Sequence, residues 1–344
     1  MGVKGVANEK TVSSLGEFGL IDHCFKGLGK TDVPGISAGV GDDAAVLLVP
    51  RTQDLLTTSD TLVAGIHFTQ ETDPRLLGWK TMCVNLSDIA AMGGEPRWCL
   101  LSIALPPETP LAWVEQLALG MDDAGKQYGV ALVGGDTSAT SGPVVLTISM
   151  FGVVGHGRAI LRSGAEVGNR IFVSGTMGDS ALGLRRLLGV DLGGAANTDT
   201  DGTFFVDRHL KPSPRIDLGL ALVDASVARA AIDISDGLLA DARRLCDASG
   251  VGADLDLGKI PLSPAARRWL ENGGPDAWQT LLTGGEDYEL LFTVTPGALE
   301  YIPAIATNLR LPLTEIGVIT EQKGIRVLDH GTPMTIQGSG FKHF

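Results

Sequence analysis

Ile232-Asp233-Ile234-Ser235-Asp236-Gly237-Leu238 sets a short apolar run against two aspartates and a serine, then opens a helical pattern over residues 237–249. A buried strand delivering oxygen-bearing side chains to the start of a helix is a building unit of α/β domains. The layout recurs. Residues 55–58 read as a strand ending in Thr58-Ser59-Asp60, and the short strand 131–133 leads into Gly134-Gly135-Asp136-Thr137, expected as a tight turn. Gly284-Gly285-Glu286-Asp287-Tyr288-Glu289 is the last such group.

Around these motifs, helical periodicity covers residues 17–27, 73–92, 111–128, 180–188 and 212–227. Strand-like runs occupy 45–49, 98–105, 144–154, 170–174 and 231–234, while 189–202 reads as a polar, glycine-rich loop. The expected class is α/β, or α+β with layered sheets. A flexible extension (1–15) precedes an N-terminal domain (16–160) and a C-terminal domain (161–344) that completes the site. The boundary is placed in the Gly- and Arg-rich loop 155–169.

The chain has 344 residues, 44% of them apolar, enough to bury a proper core. Its formal net charge of −13 argues against a nucleic-acid partner, since no basic stripe is present to displace phosphate counterions. Cys24, Cys83, Cys99 and Cys246 form no CxxC or Cys/His group and read as reduced thiols of a cytoplasmic protein. No apolar run approaches the roughly 18 residues of a membrane span. A chain this acidic holds polyphosphate only through metal ions, backbone N–H groups or a few local cations.

Two nucleotide motifs fail on inspection. Gly29-Lys30-Thr31 resembles the end of a P-loop, but the required first glycine falls on Cys24 and a helix precedes it. Gly39-Val40-Gly41-Asp42-Asp43-Ala44 matches a loose dinucleotide fingerprint, but its two carboxylates would repel a pyrophosphate. Those carboxylates suit a hard cation. Mg²⁺ takes oxygen ligands, usually one or two carboxylates with phosphate oxygens and water.

Asn85-Leu86-Ser87-Asp88 places an amide and a carboxylate on one face of an otherwise apolar helix, which is costly unless they are paired or metal-bound. Each acidic group alone reads equally as a cap or turn; Asp236 can be an N-cap and nothing more. Together, at strand ends and helix starts on both halves of the chain, they point to a multi-metal phosphate site. His67 reads either as a plain loop histidine or as a ligand contact. Arg162 reads either as a phosphate clamp or as a solvated linker charge.

These motifs, with Ser59-Asp60-Thr61-Leu62-Val63, His67-Phe68 and the run from Val84 to Gly93, closely resemble the thiamine-monophosphate kinase family. The likeness runs in order along nearly the whole chain. That family belongs with the aminoimidazole-ribonucleotide and selenophosphate synthetases. The resemblance implies a two-domain fold whose N-terminal halves pair in a homodimer. It also implies direct transfer of the γ-phosphoryl of ATP to thiamine phosphate, with several Mg²⁺ ions and no single acid or base.

Carried over residue by residue, it assigns Asp43, Thr58, Ser59, Asp60, Asp88, Asp136, Asp233 and Asp236 to magnesium, with Asp60 and Asp236 the most critical. Gly135, Asp136, Arg162 and Ser235 would touch ATP, and His67, Glu286 and Phe341 the thiamine phosphate. Ile66 and Phe341 stand where relatives often carry Asn and Tyr or Trp. Another synthetase-like acceptor and a non-catalytic ATP-binding regulator are the competing functions.

Overall fold

The computed structural model describes residues 10–29, 32–40, 43–193, 199–272, 276–336 and 340. The chain divides into two compact units: residues up to Asn85 with Pro96–Val153, and Leu86–Glu95 with the chain from Val154 onward. The fold is mixed α/β with layered sheets, as the motif pattern implied.

The first unit carries helix α1 (Val12–Leu20), a π-helical turn (Ile21–Phe25) and a ribbon of β1 (Ile36–Ala38) and β2 (Val46–Leu47). Residues 12–15 of the expected extension belong to α1, and residues 1–9 lie outside the described residues. A four-stranded sheet follows in the order β3-β6-β4-β5, made of β3 (Gln53–Val63), β4 (Glu95–Leu105), β5 (Ala131–Ala139) and β6 (Val145–Gly155).

Helix α2 (Pro74–Ala91) starts where Asp73 Oδ1 accepts the N–H groups of Arg75 and Leu76 at 2.8 and 3.1 Å, an N-cap. Residues 77–87 of α2 are buried on every side. Helix α3 (Leu111–Tyr128) ends on Gly129 in the left-handed region. It lies close against α2, because a Cβ on Gly78 or Gly120 would run into the carbonyl of Leu117 or Arg75.

In the second unit a seven-stranded mixed sheet has the order β13-β12-β9-β11-β7-β10-β8. Its strands are β7 (Arg170–Ser174), β8 (Ala228–Asp233), β9 (Gly252–Asp256), β10 (Leu290–Val294), β11 (Leu313–Thr320), β12 (Gly324–Asp329) and β13 (Thr332–Met334). Around it run α4 (Asp179–Leu187), α5 (Asp199–Leu210), α6 (Ile216–Ala225), α7 (Leu238–Ser249), α8 (Pro264–Asn272), α9 (Ala277–Thr283) and α10 (Ile302–Leu309). The core sits where Val173, Ile232, Leu291 and Ile316 meet Leu182, Leu238, Leu245, Trp269 and Leu281. All of β10 is buried, so its Leu-Leu-Phe-Thr-Val run is continuous rather than alternating.

β10 runs antiparallel to both neighbours, with Leu290 opposite Asp233 and Leu291 opposite Val173. The start of β10 therefore lies beside the ends of β7 and β8, and the loops 175–180, 234–237 and 284–289 meet at one end of the sheet. Glu289 anchors that meeting. It is fully buried and accepts from Ser174 Oγ at 2.6 Å, Arg208 Nη2 at 2.9 Å and the Arg215 fork, whose Nε lies at 2.6 Å. Asp287, also buried, accepts the N–H groups of Gly178 and Ser180 at 2.7 and 3.2 Å and so caps α4 from another loop.

Three expectations are corrected. β3 runs from Gln53 to Val63, so Thr58-Ser59-Asp60 lies within the strand and not at its end. Residues 199–202 of the expected loop form the first turn of α5, which is held by burial of Phe205, while 194–198 lie outside the described residues. The tight turn at Gly134-Gly135 is instead continuous strand. β5 absorbs its extra residue in a bulge, where Cys99 faces Leu132 but Leu100 faces Gly134.

Replacing Glu289 by Ala removes the shared carboxylate of two half-buried arginines and is expected to cost about 3 kcal/mol. Calorimetry would then show Tm lowered by roughly 10 °C; an unchanged Tm would refute the anchoring role. Burial pushes the Asp287 carboxyl up to about 7, with Asp179 adding and the Gly178 N–H and Arg208 opposing. The folded chain thus keeps a proton that the unfolded chain releases near 3.8, so this group's contribution to stability falls as pH rises from about 4 to 7. Asp287→Asn should flatten that fall, the Tm of the variant gaining on wild type between about pH 4 and 7; parallel curves would exclude it.

Candidate active site

Within the second unit, the loop leaving β8 is shaped by a residue that the motif reading did not single out. Asp241, fully buried in the first turn of α7, accepts the N–H groups of Ser235 and Asp236 with one oxygen at 3.1 and 3.0 Å. Its other oxygen takes Arg244 Nη1 at 2.6 Å. Burial pushes the Asp241 carboxyl up to about 6, with the Asp236 carboxylate adding and the Asp236 N–H and Arg244 opposing. The signal was present as an acid in a helix first turn, but that position usually marks only dipole compensation.

Arg244 also pairs with the Asp236 carboxylate, so Asp236 already faces a cation of the protein. A metal at Asp236 would share it with that guanidinium.

The Gly284–Glu289 segment lies directly against this loop. Glu286 N–H donates to the Ser235 carbonyl at 2.8 Å, and Tyr288 N–H donates to Ile234 at 2.9 Å. A Cβ on Gly285 would collide with the Ser235 carbonyl, and one on Gly340 would strike the Asp236 carbonyl and Ala240. The structure thus brings Ser235, Asp236 and Glu286 together, although some fifty positions separate the two motifs. Of the three acids in Glu286-Asp287-Tyr288-Glu289, two are turned inward, whereas the Glu286 side chain keeps 23% of its surface.

Asp233 ends β8 and is buried, accepting from Ser87 Oγ at 2.8 Å. Asp88, the next residue of α2, is half-buried. Arg162 is exposed, and its carbonyl accepts from Ser249 Oγ at 3.0 Å. Phe341 lies outside the described residues.

In the first unit, β3 alternates strictly. Leu56, Thr58, Asp60 and Leu62 turn to the covered face, and Leu55, Thr57, Ser59 and Thr61 to the exposed one. Asp60 N–H donates to Asn85 Oδ1 at 3.0 Å, which ties this strand to α2. Ser59 Oγ meets Ser149 Oγ and the Ile148 carbonyl, both at 3.1 Å. The side chains of Ser59 and Asp60 therefore do not converge on one point.

His67 closes the turn after β3, its Nδ1 accepting Val63 N–H at 3.0 Å. Asp43 is exposed, as is Asp136, whose Oδ2 accepts from Ser138 Oγ at 3.0 Å. Gly135 is required by close strand approach: its φ is 153°, and a Cβ there would collide with the Leu101 backbone of β4.

Among the described residues no three His, Cys, Asp or Glu side chains group closely enough to hold a metal by themselves. The donor set is nevertheless all oxygen. Mg²⁺ needs only one or two carboxylates when phosphate oxygens and water complete its shell. The residues fit that ion and not a soft one.

The comparisons with known proteins agree with this layout. Residues 41–154 match the model of the AIR synthase related protein N-terminal domain, and residues 166–330 that of its C-terminal domain. The thiamine-monophosphate kinase of Escherichia coli (strain K12) is 42% identical over 332 residues, covering 96% of this chain and 99% of that protein. The crystal structure of thiamine-monophosphate kinase from Stenotrophomonas maltophilia K279a superposes with a TM-score of 0.77 at 42% identity, over 86% of this chain and 91% of that one. A structure of AaThiL complexed with AMPPCP and TMP gives a TM-score of 0.74 at 34% identity, over 98% and 100% of the two chains. Two domain models and full-length relatives leave one assignment: the chain belongs to the thiamine-monophosphate kinase family of AIR synthase related proteins.

Proposed function

We propose that this chain is a Mg²⁺-dependent kinase that transfers the γ-phosphoryl of ATP directly to thiamine phosphate, giving thiamine diphosphate and ADP. The observation that carries it is the full-length match to an enzyme of that name, 42% identical and covered over 99% of its length. The bond between the γ-phosphorus and the β–γ bridging oxygen breaks, and ADP keeps that oxygen. An oxygen of the thiamine phosphate forms the new bond. That acceptor is already ionised near neutral pH, because the second phosphate pKa is about 6. No side chain has to act as base, and positioning with charge neutralisation does the chemistry.

Asp43, Thr58, Ser59, Asp60, Asp88, Asp136, Asp233 and Asp236 are assigned to magnesium, which when bound offsets the repulsion between two polyanions. Gly135, Asp136, Arg162 and Ser235 are assigned to ATP. Gly135 is exposed at its strand, and the exposed Arg162 guanidinium suits a phosphate. Asp241 and Arg244 hold the Ser235-Asp236 backbone and carboxylate in place. His67, Glu286 and Phe341 are assigned to thiamine phosphate, an anionic Glu286 suiting the thiazolium cation.

Pairing of two chains through their N-terminal domains fits the exposed face of β3, where Leu55, Thr57, Ser59 and Thr61 stand in a row. A cytoplasmic setting fits four free, buried cysteines. No helix among the described residues is long and apolar enough to cross a membrane.

Asp60→Asn and Asp236→Asn should each lower kcat at least about tenfold and raise the Mg²⁺ concentration needed for half-maximal rate. Wild-type rate and magnesium dependence in both variants would refute the metal assignment. ADP release measured with thiamine phosphate, thiamine, aminoimidazole precursors and selenide should be rapid with the first alone. Turnover with another acceptor, and none with thiamine phosphate, would overturn the proposed reaction.

A further inference from the structure

His209 lies at the end of α5 and is almost fully buried. Its Nδ1 stands 3.2 Å from Glu286 Oε2 and 3.0 Å from Ser180 Oγ. A carboxylate can only accept, so a proton on that ring nitrogen would let His209 donate to it. The Ser180 oxygen on the same nitrogen leaves the imidazole little freedom to turn. Ser180 belongs to the first turn of α4, whose N–H groups are capped by Asp287 of the same acidic loop.

Glu286 is thus held twice. Its backbone adopts φ 68°, uncommon for a residue with a side chain, and its N–H is tied to the Ser235 carbonyl. Such a conformation persists only where the surroundings over-determine it, and functional sites are where it collects. Its side chain is then fixed by His209. A glutamate left to rotate would lose rotamer freedom on meeting a ligand, and one fixed beforehand does not.

We infer that His209 is a positioning residue: it sets the Glu286 carboxylate in the orientation that receives thiamine phosphate. The inference rests on the reading that Glu286 faces that substrate. His209 acts through Glu286, so its effect should appear in one Michaelis constant and not in the other.

The test is a double-mutant cycle on the full chain, with Tm recorded for every variant. Glu286→Gln is expected to raise KM for thiamine phosphate about tenfold, leaving KM for ATP within twofold. His209→Leu should raise the same KM by a similar factor, and the double variant should add little to either single one. His209→Asn, which returns an amide nitrogen near the place of Nδ1, should recover most of the loss. Ser180→Ala, which removes the second anchor of the ring, should give a milder rise; it serves as the readout if His209→Leu does not fold.

A normal KM in Glu286→Gln would overturn the substrate-facing reading of Glu286 and this inference with it. A raised KM in Glu286→Gln, with a normal one in His209→Leu or, failing that, in Ser180→Ala, would overturn the role of His209 alone. Fully additive effects, or equal rises in both Michaelis constants, would reduce His209 to a general structural part.

Discussion

Glu289 begins the residues that lead into β10, and three donors close on its buried carboxylate from different places in the chain: Ser174 at the end of β7, Arg208 on α5 and Arg215 just before α6. No local interaction gathers these groups. A carboxylate taken out of water must be met by hydrogen-bonded cations, and the cations must then stay with it. Once they do, the start of β10 is fixed against β7 and β8. The acidic loop that precedes it is fixed against the one that leaves β8.

The chain's acids accordingly divide by orientation. Asp241, Asp287 and Glu289 point inward and build backbone. They gather the N–H groups of Ser235, Asp236, Gly178 and Ser180, and the guanidinium groups of Arg244, Arg208 and Arg215. Asp43 and Asp136 are exposed, and Asp236 and Glu286 half-buried, so each keeps surface that a ligand can reach. Burial among backbone N–H and guanidinium donors makes Asp241, Asp287 and Glu289 structural, and partial exposure leaves those four within reach of a ligand. A net charge of −13 is therefore compatible with a phosphate site: part of the acidity is consumed internally, and the rest suits cations that accompany phosphate.

Much of the local structure was legible in the pattern of residues. Helix α3 and strand β7 fall on the expected bounds 111–128 and 170–174, because an apolar stripe at helical spacing and a short β-branched run are local signals. The cap at Asp73 is local too. Helix α5 was not legible. It begins among glycine, threonine and aspartate, poor helix formers, and is held by burying Phe205 against α4. β5 ran on past Gly134-Gly135 because it took up an extra residue in a bulge of its own, and Gly135 serves close approach to β4 rather than a turn.

The candidate site divides the same way. Residue types and their order determined which groups carry oxygen ligands, that the donors are hard, and which family the chain resembles, since these depend on the side chains themselves. Only the tertiary structure decided which acids face one another. Asp236 and Glu286 became neighbours because β8 and β10 pair antiparallel, and Ser59 parted from Asp60 because successive strand residues alternate faces. His209 reached Glu286 because α5 is drawn in by its own half-buried arginine, Arg208, on Glu289. Contacts between distant segments are made by strand register and by the pairing of buried charge, neither of which any short stretch of sequence contains.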